Sequence, residues 1–238
     1  MEASNRTRRS LFGLGIGAAA LVGGVTSACS ETPAATVAPP AVSADQAWQS
    51  LVDGNDRFVN GKQQHPHETL QWREALVKAQ HPFAAILGCA DSRVTPEVVF
   101  DEGLGDLFTI RAAGEVLDSS VIGSIEYAVE NLGVPLVVVL GHAGCGAVSA
   151  TIEVVQGRAT ASGDISTLVR SIEAAVRATP NSADAAGFLN SCVAEQARRS
   201  ARQLQERSAI VGNAMASRSL KVVAATYDLT SGKVAQLS

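Results

Sequence analysis

Aromatic residues are scarce in this chain. Trp, Tyr and Phe together make up 4% of its 238 residues, and acidic side chains outnumber basic ones to leave a net charge of −4. A nucleic-acid binder needs a basic field and stacking surfaces, so the two shortages exclude that class of partner. Cysteine is sparse too, at four, far from the density of a disulfide-stapled small domain. After the first thirty residues no apolar run approaches the roughly 20 residues that cross a bilayer, and no internal repeat is visible. What is present is a 46% hydrophobic composition, enough for one sizeable core and one globular domain acting on small molecules.

The first thirty residues stand apart. "NRTRRSLFGLGIGAAALVGGVTSACS" opens with Arg6, Arg8 and Arg9, continues uncharged and rich in Gly and Ala, and ends in small residues before Cys29. That is the pattern of a signal peptide over residues 1–29, and the segment is excluded from fold reasoning. "TRRSLF" resembles the twin-arginine export signal, with Leu11 where that signal usually carries Phe. "TSAC" resembles a lipoprotein cleavage site, which would make Cys29 a lipidated first residue, although Thr26 stands where Leu or Val is usual. A retained anchoring helix is the other use of such a segment, but its many glycines disfavour it. Residues 30–42, "SETPAATVAPPAV", form a small, Pro-rich tether. The folded domain is expected over 43–238, exported to the cell envelope and either lipid-anchored or free.

With Cys29 set aside, Cys89, Cys145 and Cys192 remain, an odd number for an exported protein that relied on disulfides. Thiolates held by a metal would resist oxidation, and export in the folded state would let the metal be loaded in a reducing compartment first.

Ser43 and Gln46 are spaced as a capping box, and Trp48, Leu51, Val52, Phe58 and Val59 follow at helical spacing. A second helix is predicted over Glu68 to Ala79. "FAAILG", "DLFTIRAAG" and "PLVVVLG" read as buried strands; "DSSVIGSIEYAVENLG", capped by Asp118 and Gly133, and "CGAVSATIEVVQG" read as helices. Two further helices fill Ser162 to Ser217, and "LKVVAATYDL" and "GKVAQLS" close the chain as strands. Alternating strands and helices predict an α/β fold: a mainly parallel central sheet flanked by helices, with an N-terminal helical arm.

In such a sheet, ligands gather where strands end at their carboxyl termini. "GCADSR" follows one strand and "GHAGCG" another, so both belong to one edge. Cys89, His142 and Cys145 are a soft to borderline donor set that suits zinc better than magnesium or calcium. Gly141, Gly144 and Gly146 are expected to let the backbone turn tightly around the last two. Three protein ligands leave a fourth position for water or a carboxylate. Taken alone, "HAGC" reads more readily as a core cysteine beside a satisfied histidine. Asp91 and Arg93 shift that balance, because a carboxylate two residues from a ligand cysteine either completes the metal site or accepts a hydrogen bond from a metal-bound group while paired with the guanidinium. A plain surface ion pair is the alternative use of the two.

C-x-D-S-R at Cys89 to Arg93, followed about fifty residues later by H-x-x-C at His142 to Cys145, resembles the signature of the β-class carbonic anhydrases, particularly their actinobacterial branch. The likeness runs from about Trp48 to Tyr227 and includes "HPFAAILGCADSRV" and "GSIEYAVENLGVPLVVVLGH". The resemblance implies a zinc enzyme that hydrates carbon dioxide reversibly to bicarbonate and a proton by zinc-bound hydroxide. It implies Cys89, His142 and Cys145 as zinc ligands, Asp91 and Arg93 as a catalytic dyad, and Asp91 as a conditional fourth ligand at low pH. It also implies Gln80, Phe108, Ala113 and Tyr127 as substrate-binding residues and a homodimer or tetramer whose subunits share the site, with Gln80 and Tyr127 from opposite chains and the N-terminal helix embracing the partner. Without the family, Phe108, Ala113 and Tyr127 would be read as core. No histidine offers itself as a proton shuttle, since His65, His67 and His81 all lie near the second helix. Two competing readings share these residues: a hydrolase of carbon disulfide or carbonyl sulfide on the same fold, and a non-catalytic zinc-binding or thiol-redox module.

Overall fold

A computed structural model describes residues 42–238; the expected signal peptide, Cys29 and all of the tether but Val42 lie outside the described residues. Helix α1 (Ala44–Val59) starts on the capping box: the Ser43 hydroxyl accepts from Gln46 N at 3.2 Å and Ser43 N donates to Gln46 Oε1 at 2.9 Å. Helix α2 (Leu70–Ala75) is shorter than its pattern predicts. None of its residues is buried, so no packed face carries it past one and a half turns.

Strand β1 (Ala84–Gly88) is buried along its whole length and leads through the short α3 (Pro96–Val99) to β2 (Leu107–Arg111). After a single 3-10 turn at Ala113–Glu115 comes α4 (Ser119–Glu130), capped as expected by Asp118, whose Oδ1 accepts from Val121 N at 2.8 Å. The helix ends at Glu130 with Asn131 in the cap position; Gly133, at φ 69°, turns the chain two residues later. Then follow β3 (Leu136–His142), α5 (Gly146–Val155), α6 (Ile165–Ala178), α7 (Ala185–Arg207) and α8 (Ala209–Ser217). Three helices stand after α5 where the pattern predicts two. The break falls at Ser208, whose extended backbone ends α7 and whose hydroxyl caps α8 by accepting from Val211 N. The chain closes with β4 (Lys221–Tyr227) and β5 (Val234–Gln236).

The sheet order is β2-β1-β3-β4-β5, parallel except for β5, as expected of a mainly parallel sheet flanked by helices. Side chains alternate between its faces. Ala85, Leu87, Val137 and Val139 pack against α4, α7 and α8, whereas Ala84, Ile86, Leu136, Val138 and Leu140 pack against α1 and α3. Helix α1, the expected arm, buries Ala47 and Leu51 in that second face. Buried Asn55 ties it down further, donating to Val99 O at 3.0 Å and Gly232 O at 2.9 Å. From β1 the chain passes to β2 on one side and later returns to β3 on the other. The connections therefore diverge between β1 and β3, which opens a crevice at their carboxyl ends.

Candidate metal centre

Cys89 directly follows β1, His142 is the last residue of β3, and Cys145 caps the start of α5. Because Gly88 pairs with Leu140 in register, the two strands end side by side, and the donor atoms of the three residues fall within 4.8 Å of one another. All three are buried. Of the three glycines expected to turn this loop, only Gly144 adopts a positive φ, at 68°. Gly141 serves packing instead, since a Cβ there would lie 3.0 Å from Val193 Cγ1.

The two sulfurs are 4.0 Å apart, twice the length of a disulfide. Ligands about 2.3 Å from a tetrahedral centre stand about 3.8 Å from each other, so the spacing fits thiolates sharing zinc. His142 supplies an independent sign. Its Nδ1 lies 3.1 Å from Ala143 O, an acceptor only, which puts the hydrogen on Nδ1 and leaves the lone pair on Nε2. Nε2 is buried without a partner among the described residues. An orphaned ring nitrogen is costly unless something occupies the point it faces, and here it faces two thiols.

The thiols share their proton unequally. Hydrogen bonding from Cys145 holds Cys89 well below the usual thiol range against the opposing effect of burial, with the N–H groups of Gly114 and Asp91 assisting. The same pairing, then burial, pushes Cys145 up. Gly114 N donates to Cys89 Sγ at 3.4 Å, a contact that nothing in the side-chain sequence announces. Next to it Glu115 is fully buried at φ 50° with neither carboxylate oxygen partnered among the described residues; burial, and then the Cys89 charge, raise its pKa well above the usual range. Cys192 is buried and free, and stands outside the cluster.

Asp91 and Arg93 meet as a fork: Nε donates to Oδ1 at 2.9 Å and Nη2 to Oδ2 at 2.7 Å, while Arg93 N adds a third bond to Oδ1 at 3.0 Å. This bonding holds the carboxyl well below the usual carboxylate range. The pair borders the cluster, with Asp91 Oδ2 3.9 Å from His142 Nε2.

The residues named for the substrate pocket are dispersed. Ala113 adjoins Gly114 in the turn against Cys89. Phe108 and Tyr127 face each other at 6.2 Å between ring centroids, with Tyr127 48% exposed. Gln80 is exposed in the segment entering β1, at the opposite end of that strand from Cys89, so one chain does not bring it to the cluster. His67 is bound to Asp106 at 2.7 Å and stacked on Trp72, and His65 lies near Glu68, both around the segment that enters β2 and away from the cluster. Arg111, absent from the sequence reading, donates to the carbonyls of Cys89 and Asp91.

The chain is similar in sequence and fold to known proteins. The sequence pattern of a family described as "Carbonic anhydrase" matches residues 84–234. A carbonic anhydrase of Mycolicibacterium smegmatis is 42% identical over 192 residues, 79% of this chain and 90% of that protein. Carbonic anhydrase 2 of Mycobacterium tuberculosis is 41% identical over 187 residues, 79% of this chain and 89% of that protein. Among solved structures, a tetrameric β-carbonic anhydrase of Sordaria macrospora superposes with a TM-score of 0.64 at 20% identity, covering 80% of this chain and 96% of that one.

Proposed function

The chain belongs to the carbonic anhydrase family, and from that premise we propose that it hydrates carbon dioxide reversibly to bicarbonate and a proton at a zinc ion held by Cys89, His142 and Cys145. The observation that carries the metal assignment is the buried, unpartnered Nε2 of His142 facing two thiols. A zinc ion bound there supplies Lewis acidity that lowers the pKa of water from about 15.7 towards about 7. The chain's own residues do the rest. Arg93 keeps Asp91 ionised and aimed, so that the carboxylate accepts a hydrogen bond from the attacking water and orients its lone pair toward the carbon of the substrate. Released from Arg93, the same carboxylate lies close enough to the cluster to serve as a fourth ligand.

Phe108, Ala113 and Tyr127 are read as the apolar wall for carbon dioxide, with Gln80 donated by a second copy of the chain. The half-exposed Tyr127 and the placement of Gln80 far from its own cluster support a shared site, and hence a dimer or tetramer. The arginine pattern near the N-terminus supports export to the cell envelope, with Cys29 as the candidate lipid anchor.

Stopped-flow hydration across pH, paired with elemental analysis, tests the assignment. One zinc per chain and hydration above background are expected. Cys145→Ser should lose metal and activity together, whereas Arg93→Ala should keep the metal while turnover falls about 100-fold. Metal lost equally from both variants would break this division of roles.

A further inference from the structure

Strands β1 and β2 stay in register up to Gly88 and Arg111, and the ladder closes with Ala112 N donating to Gly88 O at 3.0 Å. Past this point β2 departs into the Ala113–Glu115 turn, so Cys89 O has no β2 backbone donor opposite it, and Asp91 O accepts from the backbone only the turn bond of Val94 N at 3.0 Å. The Arg111 side chain takes both. Its Nε donates to Cys89 O at 3.0 Å and its Nη2 to Asp91 O at 2.6 Å. A planar fork with fixed N–H directions can hold two carbonyls two residues apart, whereas a lysine offers a single point. Ordering so long a side chain at an exposed edge costs rotamer entropy, which argues that the two bonds fix something worth fixing. Asp91 is thereby gripped by two arginines: Arg93 on its carboxylate and Arg111 on its backbone.

We propose that Arg111 is a positioning residue whose guanidinium continues the β1–β2 ladder through side-chain bonds and locks the Cys89–Asp91 loop, so that the metal-facing sulfur and the dyad carboxylate keep one geometry. It touches no reacting atom. The inference rests on the roles proposed above for Cys89 and Asp91.

The test uses the zinc-loaded full chain and its Arg111→Ala and Arg111→Lys variants, with kcat, KM, zinc content and hydrogen exchange of the 90–94 amides measured on each. Arg111→Ala should lose about 10- to 100-fold in kcat with KM and zinc content little changed, because a small misplacement of catalytic groups is costly while the ligands themselves remain. Exchange at 90–94 should rise about 10-fold or more as the loop is freed. Guanidinium chloride at millimolar concentration should restore part of both turnover and protection in Arg111→Ala and change neither in the unaltered enzyme, and Arg111→Lys should recover less than the added ion. Unaltered kcat and exchange in Arg111→Ala would overturn the proposal, as would lost turnover with exchange unchanged. If Arg111→Ala does not fold, Arg111→Lys decides by the same two readouts. An unaltered chain without hydration activity would overturn the proposed reaction instead, and exchange alone would then decide whether the clamp exists.

Discussion

Two carboxylates eleven residues apart are driven in opposite directions by their surroundings. Arg93 holds Asp91 low, while burial, reinforced by the nearby Asp106 charge, pushes Glu102 up to about 7. The sign for stability follows. An unfolded chain releases the Glu102 proton near 4.5, whereas the folded chain keeps it to about 7, so stability falls as pH rises through that window and the cost is constant above it. Glu102→Gln should therefore stabilise the protein at pH 8 by about 1 kcal/mol, after discounting for solvent screening, and should do nothing at pH 4. Melting temperatures at the two pH values check it; a gain that persists at pH 4 would point to packing rather than charge. At this scale the cluster of Cys89, Asp91, Arg93, His142 and Cys145 was legible, because polar chemistry interrupts apolar runs at two strand ends. Gly114 and Arg111 were not, since one contributes only a backbone N–H and the other answers two backbone carbonyls, groups that every residue possesses. Gln80, Phe108 and Tyr127 came from the family likeness alone.

Elements were legible where a long face is buried; the four-residue α3 was not read, although Pro96 and Val99 are buried. The sequence pattern placed α1, α4, α5 and all five strands; it overran α2, whose exposed residues give it no neighbour to extend against, and it missed the break between α7 and α8, which neither Gly nor Pro marks. Gly54 shows how contact decides against propensity. Within α1 an alanine would be favoured by about 0.5–1 kcal/mol, yet a Cβ at position 54 would sit 1.7 Å from Phe100 O. Helix α1 would have to lift from the backbone after α3, and Asn55 with it. Gly54→Ala should therefore destabilise by about 3 kcal/mol, read as a lower urea midpoint with the transition still cooperative. A neutral or stabilising substitution would mean that the helix is not seated where Phe100 carries its carbonyl.

For the whole molecule, the parallel order and both covered faces could be foreseen, but the neighbour relations of the strands could not, because periodicity says which residues face a core and not which strand lies beside which. A zinc ion held as proposed would couple metal binding to the fold. Zinc should raise the melting temperature, by about 4 kcal/mol of stability at a thousandfold excess over its dissociation constant. That gain should shrink as the pH is lowered from 8 to 6, since the proton shared by Cys89 and Cys145 must leave when the ion enters. Scanning calorimetry with and without zinc at both pH values measures it, and a gain independent of pH would contradict thiolate ligation. The placement of β1 beside β3 carries one more consequence, for the order of events during synthesis. Cys89 leaves the ribosome well before His142 and Cys145, and until the later strand has slotted in beside the earlier one there is no cradle to fill. On the proposed zinc assignment the complete cradle therefore exists only after commitment to the native topology, and an ion held there would pin the carboxyl ends of β1 and β3 together.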